Sequence, residues 1–288
     1  FLCEVDYCSA ASVMIPKSLF VSLGGFDEKY APAYYEDADL AFKIRATGRK
    51  VLYQPLSTVT HYEGVTSGTD TSAGAKKHQV SNRATFATAW ETVLAAKPVN
   101  GDVSAWEALE PGKKRILVID HHLPMTDRDA GSVRMFHILT LLRDLGHKVT
   151  FLPDNLGDIP PYGDDIRKRG IEFVHHPYCK SVRSYLEEHG KSLDVVILSR
   201  CDFARKHIAA TRQFAPQSWI IFDTVDLHHL RLGREAELTK DPRIEATAAE
   251  KARQEFELID EVDETWVVSH YEQQLLEAKR PHGSIEVV

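Results

Sequence analysis

The sequence is poor in cysteine, and its cysteines are not placed for a metal or disulfide site. Four occur in 288 residues, with no CxxC pair among them. A zinc knuckle needs paired ligands at short spacing, and a disulfide-stapled domain is much richer in cysteine. The sequence argues against both classes and favours a reducing compartment such as the cytosol. The four are Cys3, Cys8, Cys179 and Cys201.

Two further absences narrow the class of protein. No apolar run approaches the roughly 20 residues of a membrane-spanning helix. Lys and Arg number 35 against 42 Asp and Glu, for a formal net charge of -7, so the overall charge gives a nucleic-acid partner no support. The first residues, FLCEVDYCSA, lack an initiator Met and the features of a signal peptide. The last residues, GSIEVV, resemble a β-strand. Both ends together predict that the sequence is an internal segment of a longer protein.

What the sequence does contain is enough apolar residues, 43%, for one large core or two modest ones. Composition shifts at KPVNG and again at EPGKK, and Pro and Gly punctuate both places. We therefore predict a first domain over residues 1–97, a linker over 98–112 and a second domain over 113–288. In the first domain we expect a buried strand at 11–16 and helices over 38–47 and 80–94.

After residue 113, apolar strands alternate with amphipathic helices. The clearest helix runs over 132–145, with Ser132 as its cap and Gly146 as its stop. Alternation of this kind predicts an α/β fold with a Rossmann-like, doubly wound parallel sheet. Strands are expected at 115–120, 148–152, 171–174, 195–198, 219–222 and 265–268, and the other helices over 181–189, 203–214, 246–259 and 270–279.

The first domain carries a cluster of acidic residues at a predicted helix start. Glu36, Asp37 and Asp39 lie between the segments GGFDE and VTHYEG. Carboxylates in a first turn are commonly only favourable charges at the positive end of a helix. Crowding also raises the pKa of one carboxylate, which suits a base that takes a proton from a sugar hydroxyl. The residues alone leave both interpretations open, and His61 is likewise either structural or a ligand of a divalent metal.

GGFDE, then YYEDADLAFKIRATGRKVLYQP, then VTHYEG closely resembles the C-terminal half of inverting, family-2 type glycosyltransferases with a GT-A fold. The resemblance covers about residues 5–94. It implies that Asp37 is the catalytic base, that Glu36 is its acidic neighbour and that Asp39 is a supporting carboxylate near the acceptor.

The same resemblance implies roles for residues on either side of the acidic cluster. His61 would help to hold a Mg²⁺ or Mn²⁺ ion or the diphosphate, and Gly24, Gly25 and Phe26 would shape the acceptor-side loop. The family's nucleotide-binding half, with its D-x-D metal motif, precedes these segments and is missing here. We therefore expect this stretch to be inactive by itself.

In the second domain, the first loop, HHLPMTDRDAG, leads into a helix. Gly131 allows close approach of a ligand to free N–H groups at the helix start, or it simply permits a tight turn. The spacing is not GxGxxG, so a dinucleotide site has little support. Further along, Asp223, Asp226 and His228 follow a strand. They form either a carboxylate–His pair that orients an acceptor hydroxyl or a hydrogen-bonded turn.

The second domain begins with a strand, a glycine-containing loop and a helix, followed by the segment DLGHKVT. This order resembles the N-terminal domain of a family-4 type glycosyltransferase with a GT-B fold. IIFDTVDLHHLR and WVVS continue the resemblance, which covers about residues 113–288. It implies a metal-free domain that binds the acceptor in a cleft at the carboxyl ends of the strands, with the donor-binding domain missing. The residues expected to face this cleft are Asp129, Gly131, Ser132, Arg134, Arg200, Asp223, Asp226, His228 and Arg231.

Together these features predict a fragment of a bifunctional glycosyltransferase. It would transfer sugar from a nucleotide-sugar donor to a growing polysaccharide, a cell-surface glycan or a lipid-linked acceptor. We expect a cytoplasmic location, where the protein would reach the inner face of the membrane through its acceptor. An exposed sheet edge would allow the chain to form an oligomer. The alternatives are a non-catalytic module that binds a glycan or a partner, and a nucleotide-binding α/β protein from residue 113 onward.

Overall fold

A computed structural model describes residues 1–60, 75–98, 112–280 and 283–288. The chain forms two compact units, Phe1–Gly112 and Lys113–Val288. In the described ranges, no helix combines the length and the apolar character needed to cross a bilayer.

The first unit holds short helices around a small aromatic core. The ring of Phe42 lies 5.1 Å from that of Phe86 and 5.3 Å from that of Trp90. Buried Tyr30 and Ala38 complete this cluster. The elements are β1 (Cys3–Glu4), α1 (Lys17–Ser22), α2 (Glu36–Ala46), β2 (Leu52–Tyr53), α3 (His78–Ala89) and α4 (Glu91–Ala95), with β1 and β2 antiparallel.

The second unit is built on a seven-stranded sheet in which every pairing is parallel. Its strands are β3 (Arg115–Asp120), β4 (Lys148–Pro153), β5 (Glu172–Phe173), β6 (Val195–Ser199), β7 (Trp219–Asp223), β8 (Glu264–Val267) and β9 (Ile285–Val287). Its helices are α5 (Ala130–Asp144), α6 (Tyr162–Lys168), α7 (Val182–His189), α8 (Cys201–Phe214), α9 (His228–Thr239), α10 (Pro242–Glu261) and α11 (His270–Lys279). The order across the sheet is β5-β4-β3-β6-β7-β8-β9.

Helices cover both faces of this sheet, because successive side chains of a strand point to opposite sides. Val118 packs in one core with Met135 of α5. Leu117 packs in the other core with Leu186 of α7 and Leu276 of α11. The predicted doubly wound, Rossmann-like α/β fold is confirmed.

The strand order places a crevice at the carboxyl ends of β3 and β6. The chain moves outward from β3 through β4 to β5, then returns to the other side of β3 to begin β6. The helices that follow β3 and β6 therefore leave towards opposite faces. A reversal of this kind is where open α/β sheets bind ligands.

Candidate functional site

In the first unit, the acidic turn of α2 follows a tightly held loop. Tyr34 and Tyr35 have φ angles of 77° and 74°, in a region that costs bulky residues about 1–3 kcal/mol each. Asn82, buried on α3, donates from Nδ2 to the carbonyls of Tyr30 and Ala33, both at 2.8 Å. These hydrogen bonds hold the strained turn that leads directly into α2.

Asp37 lies half-buried in the first turn of α2. Its Oδ2 accepts the backbone N–H of Ala10 at 3.1 Å, and its Oδ1 accepts that of Ala38 at 2.8 Å. Across the described part of the chain, the carboxylate forms no ion pair. It is therefore oriented by backbone groups while part of its surface stays in solvent.

Asp39 has a very different environment, with only 1% of its surface exposed. Its Oδ2 lies 2.7 Å from Lys43 Nζ, and its Oδ1 accepts from Trp90 Nε1 at 2.9 Å and from the Tyr30 hydroxyl at 3.1 Å. Burial by itself raises the pKa of Asp39, but the bonds from Lys43 and Trp90 outweigh it and hold the pKa below its usual range. The observed contacts make Asp39 an anchor of α2, and its role beside an acceptor stays a prediction.

The other residues predicted for the first unit are spread around this turn. Glu36 Oε2 is buried and has no hydrogen-bond partner among the described residues. Gly25 has a φ of 69°, and exposed Phe26 packs edge-on against Phe20 with 5.4 Å between ring centroids. His61 lies outside the described residues. Within those residues no three His, Cys, Asp or Glu side chains come together as metal ligands, so the divalent-metal site stays a prediction.

In the second unit, the crevice beside β3 and β6 contains two buried carboxylates, each paired with an arginine. Asp120, the last residue of β3, accepts from Arg200 Nε at 3.0 Å. Asp223, the last residue of β7 and 0% exposed, accepts from Arg134 Nη1 at 2.7 Å and from Ser199 Oγ at 3.1 Å. Burial raises the pKa of Asp223 in spite of Arg134. Asp223, Arg134 and Arg200 are thus brought close together, and their role towards an acceptor stays a prediction.

The backbone around Arg200 explains why its side chain crosses the crevice. Arg200 has a φ of 65°, which is rare for a residue with a side chain, and its N–H donates to the carbonyl of Asp223 at 2.9 Å. A Cβ at Gly131 would lie 3.0 Å from Arg200 Nη2 and 3.1 Å from Asp129 Oδ1. The absence of a side chain at Gly131 therefore leaves room for these two side chains, which would have to shift by a few tenths of an ångström beside an alanine.

Asp129 and Ser132 are occupied with each other at the start of α5. Asp129 Oδ1 accepts the N–H of Ser132 at 2.8 Å, and its Oδ2 accepts the Ser132 hydroxyl at 2.7 Å. Burial alone raises the pKa of Asp129, but these bonds hold it below its usual value. The prediction of Ser132 as the helix cap is wrong. Asp129 is the cap, because the helix begins at Ala130, two residues earlier than expected.

The segment after β7 carries two carboxylate–His pairs. His228 Nε2 lies 3.0 Å from Asp226 Oδ1, and Arg231 Nε donates to Asp226 Oδ2 at 3.2 Å. These contacts fit an acceptor-orienting pair and a hydrogen-bonded turn equally well. His229 Nδ1 lies 2.5 Å from Oε2 of buried Glu255, and Oε1 of Glu255 accepts the N–H of His228 at 2.8 Å. Sequence reasoning missed this second pair, because Glu255 belongs to α10 and nothing local links it to His229.

Comparison with known proteins finds a glycosyltransferase that is similar to part of this chain. No family model matches. Over 77 residues, 27% of its length, the chain is 31% identical to the N-acetylglucosaminyl-diphospho-decaprenol L-rhamnosyltransferase of Mycobacterium tuberculosis, in strains CDC 1551 / Oshkosh and ATCC 25618 / H37Rv. Part of this chain is similar to a sugar-transferring enzyme. The match spans 25% of that enzyme, so the chain covers about a quarter of the length of these curated relatives.

Proposed function

We propose that the chain is part of a glycosyltransferase that moves a sugar from a nucleotide-sugar donor to a polysaccharide, cell-surface glycan or lipid-linked acceptor in the cytoplasm. The observation that carries this proposal is the 31% sequence identity with the mycobacterial rhamnosyltransferase over 77 residues. The environment of Asp37 supports it, because a general base must be oriented and reachable by the acceptor.

In the proposed reaction of the first unit, Asp37 takes the proton of an acceptor hydroxyl. The freed oxygen attacks the anomeric carbon of the donor, and the bond to the diphosphate breaks with its electron pair on the leaving group. Attack opposite the leaving group inverts the configuration at that carbon. The N–H groups of Ala10 and Ala38 hold the carboxylate in place, and the contacts of Asp39 fix the helix that carries it.

A Mg²⁺ or Mn²⁺ ion is part of this proposal for the first unit. Bound beside the diphosphate, such an ion would stabilise the charge that develops on the leaving group. Glu36 offers a buried carboxylate oxygen without a hydrogen bond, which is the kind of donor these ions prefer, and we propose His61 as a second ligand. Asp39 does not fit the role, because its oxygens are taken by Lys43, Trp90 and Tyr30.

For the second unit we propose the acceptor-binding domain of a second, metal-free transferase module of the GT-B type. The sheet order and the crevice at the carboxyl ends of β3 and β6 are the supporting observations. The polar groups there that face a ligand would be Asp226 and His228, since Asp129 and Ser132 are bonded to each other.

A transfer assay on the protein at its full natural length tests the function. We expect transfer of labelled sugar from at least one of a panel of nucleotide sugars to a lipid-linked glycan. EDTA should abolish the part that depends on Asp37, and added Mn²⁺ should restore it. A folded protein that binds glycan but transfers sugar from no donor would instead support the non-catalytic binding module.

A further inference from the structure

The second unit has a cleft of about 430 Å³ that includes none of the residues predicted from the sequence. It lies between the loop after β3, helix α5 and helix α6. The residues that matter for its chemistry are Pro124, Phe136, Tyr162, Asp165, Lys168 and Arg169. Its volume is within the range of roughly 300–1,000 Å³ that is usual for small-molecule sites.

The lining of the cleft includes apolar surfaces that are already held in place. Pro124 is buried in the loop after β3, and Phe136 is half-buried on α5. The hydroxyl of Tyr162 donates to Asp127 Oδ1 at 2.6 Å, which fixes the orientation of its ring. Rigid aromatic surfaces of this kind match the C–H face of a sugar ring and lose little entropy when one binds.

The rim of the cleft is cationic. Arg169 stands over the Phe136 ring, 5.7 Å from its centroid, and it pairs with no carboxylate of the described residues. Lys168 lies 3.4 Å from Asp165 in an exposed pair, which is a weak interaction. Two cations therefore face one carboxylate. A guanidinium fork without a carboxylate partner has the geometry that binds phosphate.

We propose that this cleft binds a sugar phosphate, with the sugar ring against Tyr162 and the phosphate on Lys168 and on Arg169, which stands over Phe136. Asp165 accepts hydrogen bonds from the sugar hydroxyls. The site needs neither the donor nor a metal, so it stands apart from the transfer reaction proposed above and can be tested when no transfer is seen.

The experiment is calorimetric titration of the 288-residue chain, with amide NMR shifts to locate the site. The probes are α-glucose 1-phosphate and N-acetylglucosamine 1-phosphate, with glucose, inorganic phosphate and UMP as comparisons. We expect at least one sugar phosphate to bind and to shift amides over residues 124–136 and 162–169. Arg169→Ala should weaken this binding about tenfold or more, because a charge-assisted hydrogen bond is lost.

Two further variants separate recognition from folding. Lys168→Ala removes the second cation from an exposed position, and we expect several-fold weaker binding. Arg243 lies on α10, outside the cleft lining; its side chain is 91% exposed and pairs with Asp241, the cap of the same helix. Arg243→Ala should therefore leave the Kd unchanged. The proposal is overturned if neither sugar phosphate binds, if Arg169→Ala has no effect, or if inorganic phosphate or UMP binds as tightly as the sugar phosphates.

Discussion

The pair formed by Arg134 and Asp223 allows a quantitative test of the second unit. Arg134→Met removes the guanidinium and keeps most of the aliphatic stem, which leaves Asp223 in a fully buried position without its 2.7 Å partner. Breaking a buried pair in this way costs about 3–5 kcal/mol. The carboxyl group can reduce this cost by taking up a proton and becoming neutral.

Protonation limits the loss and makes it depend on pH. Neutralising an Asp with an ordinary pKa near 3.9 costs about 1.4 kcal/mol for each pH unit above that value, or about 4 kcal/mol at pH 7 and about 1.5 kcal/mol at pH 5. Because the folded pKa of Asp223 is raised, stability is retained at low pH and lost as the pH rises. The variant should therefore be strongly destabilised at pH 7 and only modestly at pH 5.

Hydrogen exchange of the β6 and β7 amides measures this loss within the second unit alone. Arg243→Met, at the exposed arginine, is the matched control and should change stability by less than about 0.5 kcal/mol. The double variant Arg134→Met/Asp223→Asn should recover most of the stability, since no buried charge is left. An equal loss at both pH values, or a loss below about 1 kcal/mol at pH 7, would refute the reasoning.

Three further predictions concern single contacts. Folding lowers the pKa of Asp39 from its unfolded value of 3.8, so the ionised side chain stabilises the fold above pH 3.8. This stabilisation should be lost as the pH falls below that value. Asp39→Asn should remove this acid dependence from urea unfolding curves of the first unit. Gly131→Ala gains up to about 1 kcal/mol of helix propensity in α5, while the side chains of Arg200 and Asp129 must shift slightly, so we expect thermal stability to change by less than about 1 kcal/mol; a loss of several kcal/mol would contradict this. Asn82→Ala should cost about 1–3 kcal/mol and speed amide exchange in the loop before α2, and unchanged exchange there would count against its role as a clamp.

The parallel sheet could be predicted because its signal is local and repeated. Each buried strand is an apolar run, and each helix between strands has its own periodicity and stop. The start of α5 shows the limit of this approach. Asp129 lies three residues before Ser132 and could have been chosen as the cap, but the choice between two capping residues depends on the loop geometry.

Two elements of the first unit were predicted wrongly for similar reasons. The single helix expected over 80–94 is interrupted at Trp90, whose backbone leaves the helical region while its indole N–H bonds Asp39. The strand expected at 11–16 is absent. Ser9 accepts the N–H of Ala11 and starts a short 3-10 turn there instead. In both places a contact outweighs the local apolar pattern.

The sites depend on contacts between residues distant in sequence. Asp120 meets Arg200 across 80 positions, and Asn82 reaches the carbonyl of Tyr30 across 52. Strand order decides the first contact and helix packing the second, so neither can be read from residue spacing. What the sequence does supply is the residue types and their order.

The central claim is that Asp37 is the base of a sugar transfer, and the kcat of Asp37→Asn tests it most directly. The amide keeps one of the two oxygens that accept from the N–H groups of Ala10 and Ala38, and it cannot take a proton. Transfer should therefore fall about 10²–10⁴-fold, while the lost hydrogen bond lowers the free energy of unfolding by only about 1 kcal/mol. Asp6→Asn, at a half-buried carboxylate paired with Lys97, is the matched control and should keep most of the activity. Full activity of Asp37→Asn, or an equal loss in both variants, would contradict the claim.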